Sequence, residues 1–182
     1  MTNILKVTGK LYLWGDNENN VLGLGEGIDT SVPREIIIPE HFITHVECGF
    51  RHTLALTNEN QILSWGYSRH GVLGLETEET VTEPTLIRKF RDGDVELETP
   101  PKIIKITSGG MHAAALSDNG EVFVWGEGRY FRNCQETEKD VLVPTKVSHP
   151  AVHLTTDISC SSGSTILLQG HFYTTILIRT IN

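Results

Sequence analysis

Three copies of an apolar–Trp–Gly motif, spaced far apart along the chain, constrain its fold more than any other feature. The copies are LYLWG, ILSWG and VFVWG, which place the tryptophans at Trp14, Trp65 and Trp125. A proline follows every tryptophan at one and the same interval; these prolines are Pro33, Pro84 and Pro144. Because the same interval recurs in all three copies, the chain is built of an internal repeat, and each copy is one unit of supersecondary structure.

A second motif, Gly-x-x-His followed by a small apolar strand, accompanies the tryptophans. It occurs as GFRHTLAL from Gly49 and as GGMHAAAL from Gly109, and both histidines precede the next Trp at the same interval. Gly9, Asn60 and Gly120, which tolerate positive φ, stand at one common position before the Trp of each copy and predict hairpin turns there. No segment shows sustained helical periodicity. The pattern therefore predicts an all-β protein of four-stranded blades.

This combination resembles the regulator of chromosome condensation repeat. The segment ITSGGMHAAAL at 106–116 matches the signature of that family throughout, whereas VECGFRHTLAL departs from it only at Glu47. The resemblance implies a seven-bladed β-propeller. Since a full ring needs roughly twice this length, we expect an incomplete β-propeller of about three blades.

The resemblance covers about residues 9 to 168 and divides the chain into segments. We expect an N-terminal leader at 1–8, a partial repeat at 9–46, whole repeats at 47–106 and 107–158, the start of a fourth at 159–168, and an atypical apolar tail at 169–182. The strand that should precede Gly9 is expected to be missing. The third repeat also departs from the pattern, because Asn133, Cys134 and Gln135 stand where the first has Leu22, Gly23 and Leu24.

The repeated residues are interpreted as structural. Glycine gives room at tight turns, a neutral histidine joins neighbouring strands, and Trp-Gly packs between blades, because a catalytic centre would need its residues once, around one pocket. This structural set is Trp14, Gly15, Gly49, His52, Trp65, Gly66, Gly109, His112, Trp125 and Gly126.

No catalytic, cofactor-binding or metal-binding residues are predicted. His149 and His153 have an i, i+4 spacing, but Pro150 separates them and no carboxylate or thiol is near. Cys48 and Cys160 occupy the same repeat position at a strand start and are interpreted as small core residues. Cys134, in a degenerate loop, is expected to be exposed and open to chemical modification.

One insertion, at 88–102 after the Trp strand and proline of the second repeat, is the candidate partner loop. It places a basic-aromatic patch beside an acidic one, where a charged protein surface could bind; the alternative is a solvated hairpin extension around Asp92-Gly93. The candidate residues are Arg88, Lys89, Phe90, Arg91, Asp92 and Asp94. The net charge of −8 argues against broad attraction to nucleic acid or anionic membrane.

The functional expectation is a non-catalytic protein–protein interaction module for a signalling or trafficking partner. The resemblance implies one alternative, guanine-nucleotide exchange on a Ran-like small GTPase, although no exchange residues can be assigned. A further alternative is a truncated piece of a longer propeller protein, and its rival is a homodimer that closes the ring. With no signal peptide and no membrane span in the sequence, we expect a cytoplasmic or nuclear protein.

Overall fold

A computed structural model describes residues 3–7, 10–24, 29–134, 138–149, 152 and 154–170. Its strands are β1 (Asn3–Val7), β2 (Lys10–Gly15), β3 (Thr30–Ile36), β4 (Ile43–Cys48), β5 (His52–Thr57), β6 (Ile62–Gly66), β7 (Val81–Leu86), β8 (Arg91–Asp92), β9 (Val95–Glu96), β10 (Ile103–Ser108), β11 (His112–Ser117), β12 (Val122–Gly126), β13 (Val141–Lys146), β14 (Thr155–Cys160) and β15 (Thr165–Gln169). Short 3-10 turns follow the Trp-Gly strands at Glu18–Asn20, Arg69–Gly71 and Arg129–Phe131.

The strands form four separate sheets, each of which is one blade. Blade one is β1-β2-β3, blade two is β4-β5-β6-β7, blade three contains β10-β11-β12-β13, and blade four is β14-β15. The sequential strands of each blade pair antiparallel, so every blade is a meander. The predictions of an all-β chain and of four-stranded propeller blades are confirmed.

Each blade is out of phase with the predicted sequence repeats by one strand. The first strands of blades two to four, β4, β10 and β14, end just before the position of the motif glycine, so they lie at the end of the preceding sequence repeat. The turns at 49–51 and 109–111, together with the exits of the Trp-Gly strands, lie at one end of the blades, called here the upper end. The turns at 58–61 and 118–121 lie at the lower end.

The leader contributes a strand, so the prediction that no strand precedes Gly9 is wrong. Strand β1 pairs antiparallel with β2, with Leu5 opposite Tyr12. The leader backbone thus satisfies the edge of β2 that would otherwise carry unpaired N–H and C=O groups. This strand was missed because it lacks the Gly-x-x-His motif that marks β5 and β11. Gly9 itself lies outside the described residues, as do Gln135, Pro150, His153 and the tail from 171 onward.

The insertion after β7 adds two strands to the neighbouring blade. Strands β8 and β9 form a hairpin, and β8 pairs parallel with β13 through Arg91 and Thr145. Blade three is therefore a six-stranded sheet, and this insertion hairpin covers its outer edge. The covering changes the burial of equivalent prolines, because Pro144 in β13 is buried, whereas Pro33 in β3 is exposed.

The hydrophobic core lies between the blades. One buried cluster joins blades one and two and includes Leu11, Leu13, Leu22, Leu63 and Trp65. A second joins blades two and three and includes Leu54, Phe90, Ile106, Phe123 and Trp125. A third joins blades three and four and includes Val124, Ile158 and Leu167. The blades are therefore held to one another by apolar layers on both faces of blades two and three.

The described part of the chain contains no helix of the length and hydrophobicity that a membrane crossing requires.

Candidate functional site

The Gly-x-x-His motif has a steric cause. A Cβ on Gly49 would overlap the ring of His52, and one on Gly109 would overlap the ring of His112. The imidazole thus folds back over the glycine that opens the motif, into the space that a side chain there would fill. The tight turn and the buried histidine require each other.

His52 connects blade two to blade three. Its Nε2 lies 2.7 Å from the Oγ of Ser108, at the end of strand β10 in the next blade. The pKa of His52 is lowered to about 3, mainly by burial and to a smaller extent by the nearby His112. The ring is therefore neutral at physiological pH, held inside the protein between two blades.

His112 occupies the same position one blade later. It is completely buried, and its pKa is lowered to about 4, mainly by burial and then by the positive charge of Arg132, while the Ser164 backbone opposes this shift. The two histidines lie in successive junctions between blades.

The tryptophans of blades two and three are buried hydrogen-bond donors. The Nε1 of Trp65 donates to the backbone oxygen of Val21 at 3.0 Å, and the Nε1 of Trp125 donates to that of Val72 at 2.8 Å. Each acceptor belongs to the Val-Leu-Gly-Leu loop of the preceding blade. Trp14, in the first blade, is only half-buried.

The glycines of these motifs are required by space and by conformation. In the loop, Gly74 has φ +71°, and a Cβ on it would lie 3.1 Å from the Nε1 of Trp125. After the Trp, Gly66 has φ +104° and lies against the Arg51 carbonyl. The other two post-Trp glycines, Gly15 and Gly126, also have positive φ. These are positions that only glycine occupies without strain or overlap.

The candidate partner loop is mostly engaged within the chain. Phe90 is only 2% exposed and packs edge-on against Phe123, so it belongs to the core and not to an exposed basic-aromatic patch. Because Phe90 lies between charged residues, the sequence did not indicate that it is buried. The hairpin alternative around Asp92-Gly93 describes the fold correctly, and Gly93 has φ +59°.

The charged side chains of the loop also have partners. Lys89 and Arg91 both bind Glu76, at 2.6 and 3.3 Å. Asp92 binds Lys146 of β13 at 3.2 Å. Arg88 and Asp94 remain exposed. The loop fastens blade two to blade three, which reduces the charge that it could offer to another protein.

The cysteines are half-buried and poorly reactive. Cys48 and Cys160 lie at the ends of β4 and β14, and not at strand starts as predicted. Burial raises the thiol pKa of both to about 12. Cys134, which was expected to be exposed, packs against the core between blades three and four, and burial raises its thiol pKa to about 11. The thiolate, which is the reactive form, is disfavoured at all three.

One group of potential metal ligands occurs among the described residues: His70, Glu78 and Asp140. The Nδ1 of His70 lies 2.7 Å from Asp140, whose other carboxylate oxygen accepts from the backbone N–H of Gly128. Glu78 accepts from the backbone N–H of His70. Glu138 makes the same bond to Tyr130 in the next repeat, where no histidine is present. Hydrogen bonding thus explains each ligand without a metal.

The upper end of the blades carries exposed aromatic side chains that sequence reasoning missed. Phe50 is 71% exposed, Tyr130 53% and Phe131 47%. Comparison of the repeats would have found them. Phe50 stands where the later repeats have Gly110 and Ser162, and the 3-10 turn of blade three reads Arg-Tyr-Phe where that of blade one reads Glu-Asn-Asn.

The sequence matches the profile of the regulator of chromosome condensation (RCC1) repeat at residues 8–56, 59–116 and 119–168. A second profile of the same repeat matches 43–72 and 103–132. Among relatives, the mitochondrial RCC1 domain-containing protein RUG3 of Arabidopsis thaliana is 37% identical over 132 residues, which are 72% of this chain and 28% of RUG3. The human E3 ubiquitin-protein ligase HERC2 is 32% identical over 85% of this chain and 3% of its own length.

Solved structures show the same fold. Human WBSCR16 superposes with a TM-score of 0.76 at 20% identity, over 93% of this chain and 45% of that one. Prp20p of Saccharomyces cerevisiae, whose binding to Gsp1p and histones was studied with its structure, gives a TM-score of 0.74 at 21% identity, over 87% and 39%. The chain spans less than half the length of each of these relatives and structures.

Proposed function

The chain belongs to the RCC1 repeat family, and from that premise we propose that it is a non-catalytic protein-binding module. The proposal rests on the contacts that the repeated polar side chains make. His52 and the Nε1 groups of Trp65 and Trp125 bind atoms of a neighbouring blade, and are consumed in joining blades. The side chains left for contact with other molecules are those of the turns and loops.

Exchange of guanine nucleotide on a Ran-like small GTPase is the second candidate. It is favoured by the structural likeness to Prp20p, which was studied for binding to the small GTPase Gsp1p. Nucleotide release would require a loop that enters the nucleotide site of the GTPase. The longest insertion described, at 88–102, is instead paired with β13 and fastened by Lys146, which favours a binding module.

A nucleotide-release assay separates the two candidates. A panel of small GTPases loaded with fluorescent GDP is mixed with a substoichiometric amount of the chain. We expect the release rate to stay at its intrinsic value with every GTPase, whether or not one of them binds in a parallel pull-down. Accelerated release with any member of the panel would contradict the proposal and establish exchange activity.

Closure of the ring by a second copy stays a prediction. Its measurement is the absolute mass of the purified chain by light scattering, together with thermal unfolding followed by circular dichroism. A dimeric mass with a cooperative melt supports closure by assembly. A monomeric mass with the same melt would contradict it.

A further inference from the structure

Two turns at the upper end of the blades carry exposed aromatic side chains beside arginines, with no core contact to explain them. One is the motif turn of blade two, with Phe50 and Arg51. The other is the 3-10 turn of blade three, with Arg129, Tyr130 and Phe131. These five residues are called here the aromatic–arginine surface.

The fold does not require these side chains. Where blade two has Phe50, blades three and four have Gly110 and Ser162, and their turns form all the same. Where blade three has Tyr130, the earlier blades have Asn19 and His70 in the same 3-10 turn. Adjacent exposed aromatic side chains that the turn does not require, such as Tyr130 and Phe131, are typical of a contact patch.

The backbone makes the aromatic pair of blade three more unusual. Tyr130 and Phe131 have φ of +60° and +56°, in the left-handed region. Asn19 and Asn20 hold the same conformation in blade one, and asparagine tolerates it better than an aromatic residue does. The chain therefore keeps two aromatic residues at positions where they weaken the turn. Such strain is typical of residues kept for binding.

Two of the three aromatic side chains, Phe50 and Tyr130, are accompanied by an arginine. The guanidinium of Arg129 lies 4.8 Å from the centre of the Tyr130 ring, and that of Arg51 lies 5.4 Å from the Phe50 ring. Arg51 also pairs with Glu18 at 3.3 Å. Among the residues that the structure describes, Arg129 has no carboxylate partner within 4.0 Å. Stacking on the ring holds its charge at the surface with its N–H groups available.

The two turns belong to one end of adjacent, hydrogen-bonded blades. The backbone N–H of Phe50 donates to the carbonyl of Gly110 at 3.3 Å, in the motif turn of blade three. The next residue, Met111, accepts from the backbone N–H of Glu127, which begins the connection that carries Tyr130. The two turns therefore lie at the same end of adjacent blades and are connected through the motif turn of blade three.

We propose that the aromatic–arginine surface binds a protein segment that carries carboxylates beside an apolar side chain. The inference rests on the proposed function as a protein-binding module. The aromatic rings offer large, stiff contact area, and tyrosine and arginine are enriched among the residues that dominate binding energy. The uncompensated Arg129 selects a carboxylate, because an arginine buried at an interface needs an anionic partner.

The test uses a random library of short peptides displayed on phage and selected on the full chain. Selected peptides are synthesised, and their dissociation constants are measured by fluorescence polarisation. The same peptides are measured against a variant that carries the blade-one turn, Arg129→Glu/Tyr130→Asn/Phe131→Asn. Because asparagine already holds this conformation in blade one, the variant keeps the fold, which its thermal melt verifies.

A matched control changes the lower end of the blades. Ile37 is 80% exposed and lies outside the proposed surface, so Ile37→Asn removes an exposed apolar side chain elsewhere. A second variant, Phe50→Gly, gives blade two the residue that blade three has. We expect selected peptides in which Asp or Glu flanks an apolar residue. Their affinity should fall at least about tenfold with the turn-swap variant, fall less with Phe50→Gly, and stay unchanged with Ile37→Asn.

The outcomes are distinguishable. Acidic-apolar peptides that bind the turn-swap variant as tightly as the unchanged chain, or selected peptides that are basic, would overturn the proposed surface while leaving a binding module. A library from which the chain selects no peptide would overturn both the surface and its premise. Weakening of the selected complexes between about 50 and 500 mM salt would support the charge contribution of Arg129.

Discussion

The junction between blades two and three and the junction between blades three and four use the same backbone acceptor with different donors. In the first, the Nε1 of Trp125 donates to the carbonyl of Val72. In the second, the equivalent carbonyl belongs to Arg132, and the Oγ1 of Thr165 donates to it at 2.8 Å. The junction between blades one and two uses both types of donor on the Val21 carbonyl.

This comparison shows which part of the repeat is fixed. The loop carbonyl is presented in each of the first three blades, and the donor is whatever the next blade supplies. No described Trp approaches the loop of blade three, and that loop does not require glycine either. Cys134 stands there at the position of Gly74, with a left-handed φ of +55°. Trp and Gly are thus one coupled pair, and a blade that lacks one does not need the other.

The largest expected effect is at the regular junction. Trp125→Ala should lower the free energy of unfolding by about 3 to 5 kcal/mol, since it empties a buried site and leaves the Val72 carbonyl without its donor. Trp65→Ala should cost less than Trp125→Ala, because Thr53 still donates to Val21. Chemical denaturation of both variants measures the difference. Equal costs would mean that the second donor contributes nothing.

The irregular junction contains a partly buried ion pair in place of apolar side chains. Arg132 and Glu127 lie 2.7 Å apart and are 11% and 14% exposed, where blade two has Val72 and Tyr67. Glu127→Gln should cost about 3 kcal/mol, because it leaves a buried arginine unpaired.

The double variant Glu127→Tyr/Arg132→Val restores the blade-two residues. It should unfold within about 1 kcal/mol of the unchanged chain, since well-packed apolar side chains replace a buried pair at little cost. Urea denaturation of the single and double variants gives both numbers. A double variant as unstable as the single one would show that the third loop has become dependent on its charges.

The buried histidines predict an acid-sensitive stability. Burial lowers the pKa of His52 to about 3 and that of His112 to about 4, from the ordinary 6.5. Between these values the unfolded chain binds more protons than the folded one. The contribution of the two histidines to the free energy of unfolding should therefore be constant above about pH 7, and fall by about 1.4 kcal/mol per pH unit for each histidine as the pH drops through 6 to 5.

Denaturation at several pH values measures this slope, and single variants assign it. His52→Asn and His112→Asn should each remove about half of the slope. His45→Gln is the control, because the side chain of His45 is 48% exposed and lies outside the junctions. A slope that persists in both asparagine variants would point to other groups.

The smallest expected effect comes from the donor that differs between the junctions. Thr165→Val removes the only described side-chain donor to the Arg132 carbonyl and should cost about 1 kcal/mol. Thr53→Val should cost less, since Trp65 still donates to Val21. Thermal melts of both variants measure the difference, and Thr165→Val should lower the melting temperature more than Thr53→Val. The reverse order would contradict it.

The sequence predicted the parts that recur and missed those that occur once. Equal Trp–Pro spacing predicted the blades, and the pairing of Gly49 with His52 predicted a structural motif whose geometry the fold then explained. The strand at 3–7 was missed because it lacks the Gly-x-x-His motif that marks the equivalent strands β5 and β11. Phe90 was misplaced because its neighbours are charged, and its packing partner, Phe123 of β12, belongs to the following repeat.

The candidate site was missed for a related reason. Phe50 and Tyr130 look like ordinary loop residues when each repeat is read alone, and only alignment of the three turns shows that they replace small or polar residues. Their exposure and backbone conformation depend on the fold, and no local pattern reports either.

The insertion hairpin also imposes an order of events on a chain that emerges from the ribosome. Its residues are made before any strand of blade three, yet Thr145, the sheet partner of Arg91, lies in the last strand of that blade. The hairpin must therefore wait, with Phe90 unburied, until blade three has been synthesised and folded. Contacts between such distant positions slow folding and leave apolar surface open in the meantime. Completion of blade three is thus the step that shields this segment during synthesis.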